Sequence, residues 1–282
     1  MKIILMISDS ISNRYLVKKI RENFDLIGIV IQEEIPEGLI SKIAKIGSPV
    51  GIIKHMFLRL LTMASYRQGR RLEKEYFSNN GLPYVLPEDA PIIKVKNIND
   101  PQVRDFIFKF KPDLLAVSGT QLLRQPILSL YPAVIKKGIV NMHTGLSPYI
   151  RGGNATFWAL YSGKPQYIGA TIHYIDADID KGDIILSGRP DNIEFDDTDF
   201  TIDVKVRKLG IGLYIKALKQ IQEGTNKRVK QWPGGRLFAV KTGHKKDLHM
   251  IYELRKRLKK EKILKKYLAD KQECDKDVVI ID

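Results

Sequence analysis

Short apolar runs alternate with amphipathic stretches along most of the chain. Lys2 to Ser8 is an apolar run rich in isoleucine, and a polar Asp9-Ser10 turn follows it. Leu16, Ile20 and Phe24 then recur at spacings of four, which predicts a helix. Leu26 to Ile31 is a second short apolar run, so the chain opens as β-α-β. Ile92 to Val95 predicts another strand. Asn99-Asp100-Pro101 predicts a helix start, with a side-chain cap and a proline in the first turn, and the helix runs through Val103, Ile107 and Phe110 to about Lys111-Pro112. Asp113 to Ser118, Ile139 to Met142, Gly169 to Ile175 and Ile184 to Leu186 read as further strands. A long amphipathic helix is expected over Thr198 to Glu223, with Thr198 as N-cap and Gly224 as C-cap. Apolar strands alternating with helices predict an α/β fold, a parallel sheet covered on both faces.

Two segments break this rhythm. Residues from about 38 to 80 read as mostly helical and irregular. Within them Gly51 to Ala64 is the most apolar interior stretch, but Lys54, His55 and Arg59 interrupt it, so it cannot span a bilayer. A buried or half-buried helix is expected there, with a membrane-surface helix as the minor alternative, so no membrane contact is expected. After position 225 the charge shifts: from Asn226 to Lys271 sixteen basic residues face four acidic ones. The expected division is a main domain over 1–225 and a small basic appendage over 226–282. The appendage opens with a hairpin-like piece around Gly234 to Phe238, then a helix with Leu248, Ile251, Leu254 and Leu258 on one face.

Composition narrows the class. At 44% hydrophobic and 28% charged, 282 residues are ordinary for a globular chain, which argues against disordered, fibrous and membrane classes. One cysteine, Cys274, allows no internal disulfide and no multi-cysteine zinc site. With no signal peptide in MKIILMISDS, a cytoplasmic setting is expected. The net charge of +15 predicts attraction to phosphates, carboxylates or nucleic acid and says nothing of fold.

The chemistry concentrates after residue 140. No dinucleotide fingerprint, Walker A, nucleophile elbow or H-E-x-x-H sequence occurs, and the five histidines show no metal-ligand spacing, so no metal is expected. Asn141 and His143 stand at i and i+2 on a predicted strand and so point to one face. The turn-rich loop Gly145 to Gly153 follows, at the strand end where open α/β sheets bind ligands. Further on, Asp176 to Asp183 packs four carboxylates into eight residues. Alone, an Asn-x-His is more often a satisfied buried pair, and an Asp-rich loop a solvated turn. Together they suit one reaction. An amide N–H can donate to an oxyanion, a histidine can exchange a proton near neutral pH, and a carboxylate can orient that histidine. That set fits direct attack of an amine on a carbonyl carbon through a tetrahedral species. No side chain resembles an activated nucleophile.

The stretch NMHTGLSPYIRGGNATFWAL, followed by GATIHYIDADIDKGDIIL, resembles the formyltransferases that use N10-formyltetrahydrofolate. These comprise glycinamide ribonucleotide, methionyl-tRNA and sugar N-formyltransferases. The resemblance covers about residues 1–225 and implies a Rossmann-like, mostly parallel sheet. It implies Asn141, His143 and Asp180 as catalytic residues. VSGTQLLRQPIL resembles the pterin-binding segment, which implies Gln121, Leu122 and Leu123 as folate contacts, with the Asp176 and Asp178 loop closing the other side. Thr144-Gly145 and Ser147 depart from the usual pattern on the acceptor side. The first turn, DSISN, lacks a glycine-rich phosphate cradle, leaving Ser12 and Asn13 as candidate phosphate contacts, with Arg151 beside them. Only 57 residues follow position 225, fewer than the C-terminal barrel of the tRNA enzymes needs. The implied acceptor is therefore the amine of a nucleotide-linked aminosugar, with no nucleic-acid partner. The sugar enzymes are often homodimers. The alternative is a methionyl-tRNA formyltransferase with a reduced C-terminal region.

Overall fold

A computed structural model describes residues 1–33, 48–176, 179–239 and 246–282. The first half of the chain builds strands β1 (Lys2–Ser8), β2 (Asp25–Gln32), a two-residue hairpin of β3 (Ser78–Asn79) with β4 (Leu82–Pro83), β5 (Ile92–Val95) and β6 (Leu114–Ser118). The second half adds β7 (Gly138–His143), β8 (Ile150–Gly152), β9 (Ala170–Tyr174), β10 (Ile184–Gly188) and β11 (Arg236–Phe238). Between them run helices α1 (Ile11–Asn23), α2 (Pro49–Phe77), α3 (Pro101–Phe110), α4 (Gln125–Leu128), α5 (Ala155–Tyr161) and α6 (Asp199–Glu223), then α7 (Leu248–Lys260), α8 (Ile263–Ala269) and α9 (Lys271–Asp275).

Seven strands form one sheet in the order β10-β9-β7-β6-β1-β2-β5. β5, β2, β1, β6 and β7 run parallel, whereas β9 is antiparallel to both β7 and β10. The order reverses between β1 and β6, which makes the carboxyl ends of those strands the switch point of the sheet. The central strands are buried on both faces, as their unbroken apolar runs require. One face packs Ile3, Leu5, Val140 and Met142 against α1 and α6; the other packs Ile4, Leu115 and Ile139 with Val103 and Ile107 of α3.

The helix ends follow their capping residues. Ser10 accepts from the Asn13 amide, Asp100 from Gln102 and Thr198 from Thr201, and Gly224 closes α6 at φ 73°. Tyr214 of α6 is fully buried, and its hydroxyl binds the Val117 amide (2.7 Å) and the Val140 carbonyl (2.6 Å), tying the helix to β6 and β7. Burial pushes the phenol pKa up, so it keeps its proton. Tyr214→Phe strands both backbone groups and is expected to cost about 1–3 kcal/mol, read as a lower urea midpoint at an unchanged m value.

One expectation is met in its half-buried form and one needs correcting. The apolar stretch 51–64 lies in α2, but only its inner side is buried: Leu58 and Thr62 are covered while Ile53, Phe57 and Leu60 stand in solvent. α2 packs on α1 and α6 as an outer layer, so one side of it meets the protein. The piece at 236–238 pairs in parallel with β8 rather than with its own neighbours, because Gly234 and Gly235, both at positive φ, turn the chain toward Tyr149. The described tail also shares a core with the rest: Phe238, Leu254 and Leu264 pack with Trp158 and Ile202. Ile281 pairs with Ser187, which covers the open edge of β10.

Candidate active site

Asn141 and His143 lie within the last three residues of β7. Their neighbours Val140 and Met142 belong to the core under α6, so strand alternation turns both polar side chains to the opposite face. β9 runs antiparallel beside them, and its register sets His173 opposite Asn141 and Thr171 opposite His143. The loop from β9 to β10 then folds back over these side chains. Gly182 approaches the Tyr174 carbonyl so closely that a Cβ would collide with it. Asp180 takes a left-handed φ of 51°, a conformation that aspartate tolerates better than most residues.

This turn brings the Asp180 carboxylate between two imidazoles. One oxygen lies 3.5 Å from His143 Nδ1 and the other 3.4 Å from His173 Nε2. The Gly152 amide donates to the first oxygen at 2.9 Å. Burial alone would raise this carboxyl, but His143, His173 and the Gly152 amide together hold it well below the usual carboxylate range. Asp180 is therefore a permanent anion at the centre of the cluster.

Backbone carbonyls fix both rings. His143 Nε2 lies 3.1 Å from the Ile150 carbonyl and His173 Nδ1 lies 2.8 Å from the Tyr174 carbonyl. A carbonyl only accepts, so each of these nitrogens is assigned the hydrogen. Asn141 Nδ2 lies 3.2 Å from His173 Nε2, so no more than one of its two N–H groups is engaged there and the other is open to a ligand. His143 presents Nδ1 to the carboxylate, so a proton arriving there settles beside an anion. Gly145 has no room for a side chain, since a Cβ would collide with His143 Nε2. Thr171 accepts from the Ser147 amide (2.9 Å) and donates to the Gly145 carbonyl (2.7 Å), which steadies the loop beside His143.

The 119–124 turn leaves β6, the neighbour of β7. Gln32 binds the Gln121 amide, and Asn99 binds both the Leu122 carbonyl and the Arg124 amide. Among the described residues, the Leu122 amide and both backbone groups of Leu123 have no hydrogen-bond partner. An edge of free donors and an acceptor beside the exposed Leu122 side chain fits a flat heterocycle with a complementary amide-like edge. These residues fit a pterin.

The remaining candidates lie apart from this cluster. Asn13 bonds Ser8 and Ser118 across the switch point, and Ser12 Oγ accepts from Arg207, so both side chains have partners within the chain. Arg151 stands on β8 with its Nε buried and unpartnered. Asp176 is exposed at the start of the acidic loop, and Asp178 lies outside the described residues. No group of three or more histidine, cysteine or acidic residues suited to a metal occurs among the described residues.

Sequence reading missed two contributors. His173 enters only through the register of β9 on β7. Gln231, from the tail, donates to the Asp180 (2.8 Å) and Gly182 (2.9 Å) carbonyls and pins the loop. The sole sequence signal for His173 is its place two residues after Thr171 on a predicted strand leading into the acidic turn.

Comparison with known proteins matches this architecture. The chain is 28% identical over 229 residues to the methionyl-tRNA formyltransferase of Clostridioides difficile, covering 81% of this chain and 62% of that protein. It spans about half to six tenths of the length of the curated relatives it matches. In fold it is similar to a sugar N-formyltransferase from a Shewanella species (TM-score 0.52, 17% identity, 90% of this chain and 87% of that one). It is likewise similar to phosphoribosylglycinamide formyltransferase from Anaplasma phagocytophilum (TM-score 0.53, 16% identity, 84% and 96%). The family model described as formyl transferase matches residues 1–218, and the chain belongs to that family.

Proposed function

We propose that this protein transfers a formyl group from N10-formyltetrahydrofolate to the amine of a nucleotide-linked aminosugar. The observation that carries the reading is the meeting of Asn141, His143 and Asp180, through His173, at the end of a strand whose neighbour β6 leads into a turn with free backbone groups. The folate supplies an activated formyl carbon. The free N–H of Asn141 donates to the formyl oxygen as it gains negative charge. His143 Nδ1, beside the Asp180 anion, takes the proton that the attacking amine must lose and returns it to the departing nitrogen. One C–N bond forms and one breaks, and the proton follows the leaving nitrogen, so no oxidant or metal is called for. Leu122 and Leu123 hold the pterin edge, and Gln121 sets the turn that presents them.

The tail and the charge support this choice of acceptor. The described residues after 225 give one three-residue strand and short helices that fold back on the main sheet. Within the described residues this segment is a short wrap on the catalytic domain, which favours a compact acceptor such as a sugar nucleotide. A sugar nucleotide's diphosphate suits the net charge of +15.

Similarity to methionyl-tRNA formyltransferases supports a second reading, with initiator tRNA as acceptor. The deciding experiment incubates the protein and formyl-folate with a panel of dTDP-, UDP- and GDP-linked aminosugars and, separately, with charged initiator tRNA. Formylation of a sugar nucleotide is expected. Formylation of the tRNA with no sugar product would overturn the assignment.

A further inference from the structure

The outward side of α2 is apolar and meets no partner among the described residues. Val50, Ile53, Phe57, Leu60, Leu61 and Ala64 recur at the i, i+3, i+4 spacing of a single helical stripe. Its large members are in solvent, Ile53 at 68%, Phe57 at 59% and Leu60 at 64% exposure. The inner side is already satisfied: Leu58 and Thr62 are buried, and Gly69 lies against Phe200 of α6. Among the described residues the helix is thus apolar on both sides and covered on one.

The charges along the helix bear on what could meet the other side. From Pro49 to Leu72 the helix carries Lys54, Arg59, Arg67, Arg70 and Arg71 and no acidic residue. Past Ala64 the outward stripe continues as Arg67 and Arg71, which have no carboxylate partner within salt-bridge distance among the described residues. Both stand at the rim of a cavity of about 580 Å³ between α2 and the 192–205 segment, whose lining also includes Glu75, Glu194, Asp197 and Lys205. α7 lies alongside, with Arg255 donating to the Thr62 carbonyl, and adds exposed Lys256, Lys259 and Lys260. A second copy of this chain would set these cations against their own kind. An anionic surface neutralises them while its interior takes the apolar stripe.

We propose that the outward face of α2 docks on a bilayer rich in anionic phospholipid. The apolar stripe enters the boundary between headgroups and acyl chains, and Lys54, Arg59, Arg67 and Arg71 meet the phosphates. The helix lies in the interface plane; no described helix is long and apolar enough to cross a membrane. Asn141 and His143 face the other side of the sheet from the α6 layer on which α2 packs, so docking leaves the candidate active site open.

The test sediments the intact protein with vesicles of phosphatidylcholine alone or with about one third phosphatidylglycerol, at roughly 0.1 M salt. Co-sedimentation is expected with the anionic vesicles and not with the neutral ones. A combined Ile53→Glu, Phe57→Glu, Leu60→Glu variant with an unchanged circular dichroism spectrum is expected to bind about tenfold or more weakly. Arg67→Ala and Arg71→Ala are each expected to weaken binding roughly fivefold. Phe57→Trp, which leaves the stripe apolar, is expected to shift its emission to the blue on adding anionic vesicles. Absence of anionic binding, unchanged binding by the triple variant, or a Phe57→Trp emission spectrum indifferent to vesicles would each overturn the proposal. So would a self-associated wild type that the triple variant converts to monomer without any vesicle binding.

Discussion

Asp180→Asn is expected to lower kcat for formyl transfer by about 10²–10⁴ while the KM values stay within a few-fold. The substitution keeps the size of the side chain and an oxygen for the Gly152 amide, but it removes the charge that both imidazoles face. His143 then has no anion beside Nδ1, and an amide nitrogen in that place cannot take a proton at neutral pH. A loss in kcat alone marks a group that acts on the reacting atoms; a loss confined to KM would place Asp180 in binding instead. The depressed pKa of Asp180 also fixes its pH signature. Its ionised form stabilises the fold at any pH above the ordinary carboxylate value of about 3.9, and that contribution is lost as pH falls through the lower, folded value. Thermal melts should therefore separate wild type from Asp180→Asn at pH 7 and converge in strong acid. Between pH 5 and 9 Asp180 does not titrate, so it contributes no limb to the rate profile over that range.

Asn141→Ala should lower kcat by about 10²–10³, the typical loss for one donor to a developing oxyanion. Asn141 Nδ2 also lies against His173, so the alanine variant frees His173 Nε2 from a partner as well as removing the donor. His173→Gln separates the two effects: it disturbs the orientation of Asn141 but leaves the amide in place. If Asn141 acts on the substrate, its loss exceeds that of His173→Gln, and the double variant is little worse than Asn141→Ala alone. A drop of less than tenfold for Asn141→Ala would remove it from the oxyanion role.

Much of this architecture is legible along the chain. Local chemistry sets the strands and their caps: Asp100 before Pro101, Thr198 before α6 and Gly224 after it are caps whose partners lie within three or four residues. The shared face of Asn141 and His143 follows from strand alternation alone, and the loop that follows them carries its own turn residues. The resemblance of three separated segments adds the pairing of this strand with the Asp180 turn. The parallel sheet is legible as a class, while the antiparallel placement of β9 is not, because alternation of apolar runs carries no strand direction.

What the sequence could not supply are the contacts between distant segments. His173 becomes part of the cluster because β9 pairs with β7 in one particular register, and a shift of one residue would turn it to the other face. Gln231 reaches Asp180 only because the tail folds back across the domain. Asn13, read as a phosphate contact, is drawn into bonds with Ser8 and Ser118 once β1 and β6 lie side by side. Along α2 the periodic spacing reveals an apolar stripe but not which side the protein covers, since that depends on where α1 and α6 stand. Local propensity and side-chain periodicity act over a few residues, so the sequence by itself determined the elements, their caps and the chemistry of the Asn-x-His strand. Register, closure of the acidic loop and the uncovered face of α2 are decided over tens to hundreds of residues, by packing that only the tertiary structure contains.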